Sequence, residues 1–96
     1  MTLLNMVKLR CGIPEAVTVY DESEIKPLIM DAIADMDTAG VKETLLPDVC
    51  EKEGCDPRVI TAITLYVQAM RGSDRTDSEL YLSLYRRKLH KLMLEE

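Results

Sequence analysis

A chain of 96 residues supplies one small core, since cores of this class are usually built from roughly 100 to 150 residues, and two separately folded units are excluded. Seventeen Asp and Glu against twelve Lys and Arg leave a net charge of −5, while 47% of the residues are apolar, a globular rather than a disordered composition. With four Tyr, no Phe and no Trp, the core has to be aliphatic and shared among several elements.

At the N-terminus no basic residue precedes the apolar stretch, and Lys8 and Arg10 interrupt it, so a signal peptide is not expected. The longest charge-free run, Val59 to Met70, falls far short of the roughly 20 residues of a membrane helix. These features predict a soluble, intracellular chain in which thiols stay reduced. Only Cys50 and Cys55 are near neighbours, and the single histidine, His90, is remote from Cys11, Cys50 and Cys55. That spacing suits structural or surface thiols, and neither a metal nor a cofactor is expected.

Thr2 to Cys11 is a weakly amphipathic helix candidate (2–11) closed by Gly12, followed by an extended Ala16–Tyr20. Asp21-Glu-Ser-Glu24 has the form of a capping box, but Pro27 would break a helix six residues in. The regular helix is therefore placed at 23–38, with Pro27 in its first turn. Ile25, Leu28, Ile29, Ala32, Ile33 and Met36 recur at the spacing of one buried face, with Glu24, Asp31 and Asp35 opposite. Between Asp21 and Asp56 stand eleven acids against Lys26, Lys42 and Lys52.

Residues 41–56 read as a loop with room for one helical turn. Asp56-Pro57 then marks a helix start, with Asp at the N-cap and Pro at the first helical position. The helix predicted over 57–71 carries Val59, Ile60, Ile63, Tyr66, Val67 and Met70 on one side. Its remaining face, Thr61, Thr64 and Gln68, is polar but uncharged, which suits a partly buried contact with a neighbouring subunit. Gly72–Arg75 is the predicted turn, and Thr76-Asp-Ser-Glu79 a second capping box opening a last helix at 77–94. There Tyr81, Leu82, Tyr85, Leu89, Leu92 and Met93 share a stripe, whereas Arg86, Arg87, His90 and Lys91 lie opposite. Leu80 and Leu84 fall among the basic residues; they are either candidates for contact or ordinary exposed leucines. The fold class is all-α, a small bundle of about four helices in one domain over 1–96.

No nucleophile with a base and no glycine-rich phosphate loop can be assembled, so no catalysis is expected. His90 reads as a surface residue at a helix C-terminus, and Asp31 and Asp35, one turn apart, as a solvated acidic face. Arg86-Arg-Lys-Leu-His-Lys91 raises a nucleic-acid reading. Against it stand the overall charge and the acidic start, Asp77-Ser-Glu79, of the helix that would have to read base edges. The basic cluster fits an acidic partner surface better. Since the middle of the chain is acidic, that partner could be another copy, arranged head to tail.

Asp21-Glu-Ser-Glu-Ile-Lys-Pro-Leu-Ile-Met-Asp-Ala-Ile-Ala-Asp35, Ala39-Gly-Val41, Asp56-Pro-Arg-Val-Ile-Thr-Ala-Ile-Thr-Leu-Tyr-Val67 and Ser83-Leu-Tyr85 with Leu89 follow one another in an order and spacing that resembles the head-tail connector proteins of long-tailed bacteriophages, also called head-completion or DNA-packaging adaptor proteins. The resemblance spans the chain to about Leu92 and rests on helical patterns. It implies a structural virion protein, made in the host cytoplasm, that forms a ring of about twelve copies beneath the portal protein at the head-tail interface. Such a ring extends the channel for double-stranded DNA, its cargo, and docks the tail or next completion protein. With that reading, Thr61, Thr64, Gln68, Leu80, Leu84, Arg86, Arg87 and Lys91 are candidate subunit or portal contacts, and Asp31 and Asp35 a candidate acidic channel or interface face. The competing class is a small helical regulatory module that binds one acidic partner through its last helix.

Overall fold

The computed structural model describes residues 1–71 and 75–94, and places four α-helices among them: α1 (Leu3–Arg10), α2 (Lys26–Ala39), α3 (Pro57–Arg71) and α4 (Arg75–Met93). Leu3, Val7, Ile25, Ile29, Met36, Val59, Ile63 and Val67 are almost completely buried and, with Tyr85 and Leu92, form one aliphatic cluster drawn from all four helices. Helix α3 is the central element and touches each of the other three. It is buried around most of its circumference, including Ala62 and Ala69, while Met70 in its last turn is exposed. The predicted turn residues Gly72, Ser73 and Asp74 lie outside the described residues.

Each helix end is satisfied by a different device. At α1, Thr2 Oγ1 accepts from the Asn5 amide at 3.2 Å. The amides of Leu3 and Leu4 donate to the carbonyls of Lys52 and Cys50 at 2.7 and 2.8 Å, so a distant loop fills the first turn's open donors. Helix α2 ends at Gly40, whose φ of +106° is open to glycine at little cost. The Val41 amide folds back onto the Met36 carbonyl at 3.0 Å, with the Val41 side chain buried behind it. At α3, Asp56 Oδ1 accepts from the Arg58 amide at 2.8 Å, the cap expected from Asp56-Pro57. Replacing Asp56 by Ala is expected to cost about 0.5–2 kcal/mol in chemical denaturation, and Asp56→Asn, which keeps an acceptor, much less.

The start of α2 differs from the capping box expected there. Asp21–Ile25 forms a wide π-type turn, closed by the Ile25 amide on the Tyr20 carbonyl at 3.0 Å, and it runs directly into α2. A proline ring crowds the carbonyl four residues before it, and the wide turn ahead of Pro27 relieves that crowding. No side chain caps this end. Asp21 and Glu24 are engaged by cations instead: Lys8 Nζ lies 3.1 Å from Asp21 Oδ1, and Arg71 Nε donates to Glu24 Oε1 at 2.7 Å.

Residues 13–20, expected in part as extended, form turns that leave Val17, Val19 and Tyr20 exposed. The 41–56 connection contains a single 3-10 turn, Glu43–Leu45, and is pinned at several points. Besides the two bonds to α1, Lys26 holds Glu51 at 3.0 Å and Glu22 at 2.6 Å. Glu22 and Glu51 keep the Lys26 ammonium above the ordinary lysine range, and Lys26 in turn lowers the Glu51 carboxyl.

Candidate functional site

The charged faces of the chain are built by different elements. On α4, Arg86, Arg87 and Lys91 are exposed and Lys88 is half-buried; among the described residues, none of the four forms an ion pair. Residues 80, 84, 87, 88 and 91 recur at helical spacing, so Leu80 and Leu84 continue the same surface. Leu80 is 56% exposed, and Leu84 lies half-buried beside Leu65, Arg87, Lys88 and Lys91. His90 stands exposed next to Arg86 and Arg87.

The uncharged face of α3 is largely occupied from within the chain. Thr64 is 6% exposed, and its hydroxyl donates to the Ile60 carbonyl at 2.8 Å. Thus satisfied by its own helix, it packs as a core residue within the chain. The Thr61 hydroxyl donates to the Pro57 carbonyl at 3.0 Å and accepts from Arg10 Nη1 at 2.9 Å, which joins α1 to α3. Gln68 remains half-exposed.

Asp31 and Asp35 both lie on the exposed side of α2, but Asp35 is not simply solvated. Its Oδ2 accepts from the hydroxyl of the buried Tyr85 at 2.6 Å. Tyr85 packs edge-on against Tyr66, with ring centroids 5.3 Å apart. Burial, and then the Asp35 carboxylate, push the Tyr85 phenol well above its usual value; burial does the same for Tyr66, helped by Asp31 and Asp35. Asp35 therefore fastens α2 to α4.

A second acidic surface, not singled out from the sequence, lies one helical face away. Met30, Ala34 and Asp37 of α2 face Glu43, Pro47 and Asp48 of the 41–56 connection across a groove of about 520 Å³. Lys52 also lines it, 4.0 Å from Asp48 with both side chains mostly exposed, so its neutralising effect is slight. The signal that could have found this surface is Asp37 falling three residues beyond Ala34, on the side of α2 that also carries Met30.

Among the described residues no three His, Cys, Asp or Glu side chains converge as metal ligands would. Cys11, Cys50 and Cys55 are free thiols, all raised above the ordinary value chiefly by burial. No helix of the described residues is long and apolar enough to cross a membrane.

A family model described as phage connector protein matches residues 3–96. The chain belongs to this family. Neither a curated protein nor a solved structure matches it. The connector is thus a structural phage protein, a component of the virion that joins other head and tail proteins. Its exposed surface includes the basic residues of α4, the groove lined by Asp37, Glu43 and Asp48, and the apolar Val17, Val19 and Tyr20.

Proposed function

We propose that the connector assembles as a ring under the portal, lengthens the DNA channel and docks the tail or the next completion protein. The observation that carries this reading is that one chain bears a basic surface and an acidic surface on different elements, α4 against α2 with the 41–56 connection. Surfaces that share no residues associate heterologously, head to tail, and such contacts close into rings when the rotation permits. Charge of opposite sign fixes the register of that contact and suppresses wrong partners. An excess of carboxylates suits a conduit, because a duplex gripped at its phosphates would not slide. The apolar Val17, Val19 and Tyr20 give a partner other than a sister copy a separate place to bind.

Purified connector mixed with portal-bearing, tail-less capsids is expected to add annular density at the portal vertex in electron micrographs. On duplex DNA at physiological salt, no retention is expected. Vertices that stay bare under saturating protein would overturn the reading.

A further inference from the structure

We infer that the groove between α2 and the 41–56 connection is the seat for α4 of a second connector copy. The inference rests on the ring reading above and names the two surfaces that meet. The groove has an apolar floor, Met30, Ala34 and Pro47, and an acidic rim, Asp37, Glu43 and Asp48. Helix α4 offers the complementary relief: Leu80 and Leu84 form an apolar line, and Arg87, Lys88 and Lys91 run along the same face. A helix laid into a groove is anchored by residues spaced three, four and seven apart, which is the spacing of Leu80, Leu84, Arg87 and Lys91.

Charge decides in favour of a sister copy as occupant. The rim acids Asp37 and Glu43 form no ion pair with any described residue, nor do Arg87, Lys88 and Lys91, so both surfaces enter the contact with their charges unspent. Lys52 is the lone cation in the groove lining and already leans toward Asp48. Within one chain α4 packs on α3 and reaches α2 at the Asp35–Tyr85 bond, on a different face of α2 from Met30, Ala34 and Asp37. One copy can therefore fill its neighbour's groove while its own is filled, as a ring or open helical array requires.

The pairing is tested by zero-length carbodiimide cross-linking of an equal mixture of ¹⁴N- and ¹⁵N-labelled connector at low salt. Mixed-isotope peptides identify links between copies. The expected links join Lys88 or Lys91 to Asp37, Glu43 or Asp48, and fall at least tenfold in 0.5 M NaCl. Arg87→Glu/Lys91→Glu and Asp37→Lys/Glu43→Lys, all at exposed positions, should each lose self-association alone and regain it when mixed, because the exchanged charges again face each other. Thermal melts confirm that both variants fold. Inter-copy links confined to other acids, or no recovery on mixing, overturn the pairing. So does an α4 variant that associates normally and loses only duplex binding. The same proteins added to portal-bearing capsids separate the two readings: decorated vertices without these links sink the groove, and bare vertices with the links intact sink the ring under the portal.

Discussion

Lys8→Met is expected to destabilise the connector by about 3–5 kcal/mol, a large share of the roughly 5–14 kcal/mol that a chain of this length holds in total. Lys8 is fully buried near the end of α1. Its ammonium lies 3.1 and 3.3 Å from the two Asp21 oxygens and donates to the Glu15 carbonyl at 3.1 Å. Removing the cation strands a carboxylate that is itself only 12% exposed, and an uncompensated buried charge costs more than the pair contributes. The double substitution Lys8→Met/Asp21→Leu should therefore recover most of the loss. Urea titrations of the wild type and the three variants form a double-mutant cycle, and a cost below about 1 kcal/mol for Lys8→Met would remove the pair from any role in stability.

Alkaline pH is expected to destabilise the connector, with Tyr85 among the groups responsible. The folded-state phenol is raised, so its contribution is complete below the ordinary tyrosine value of about 10 and is lost as pH climbs beyond it. The unfolded chain releases a proton that the folded chain retains, which lowers stability by up to about 1.4 kcal/mol per pH unit from this one group. Cys11, Cys50 and Cys55, raised as well, start the decline at lower pH, and Tyr66 adds to it beside Tyr85. Tyr85→Phe should cost about 1.5–3 kcal/mol at pH 7, where it loses a hydrogen bond to a carboxylate. Above pH 10 the gap to wild type should narrow, because the phenylalanine has no proton to lose. Parallel stability curves for the two proteins between pH 8 and 11 would refute the assignment.

The helices were legible because their apolar residues recur at 3.6-residue spacing, as Ile25, Ile29, Ala32, Ile33 and Met36 do, and each of these is buried in α2 or the turn before it. The Asp56-Pro57 start was legible because its chemistry is local. What escaped sequence reading depends on partners remote in the chain. A lysine near the end of a short helix looks solvent-bound until Asp21, thirteen residues on, folds over it. Asp21 and Glu24 match a capping box by spacing, yet Lys8 and Arg71 claim both carboxylates. Thr64 sits on the wheel with Thr61 and Gln68, but its hydroxyl is satisfied by the helix itself, which freed it to turn inward. Of the candidate contacts, Leu80, Arg86, Arg87 and Lys91 stand exposed on α4 and Leu84 half-exposed. Asp35 is tied to Tyr85 within the chain. The groove acids were hidden because Glu43 and Asp48 belong to a connection whose path no periodicity describes.

The bonds from Leu3 and Leu4 to the carbonyls of residues 50 and 52 make the wall of the groove continuous with the first helix of the chain. A tug on that wall is passed to α1 and onward through Lys8 and Arg10 into Asp21 and Thr61, instead of peeling a slack strap off the surface. In the ring proposed above, this wiring would spread mechanical stress from the rim of each subunit into its rigid interior.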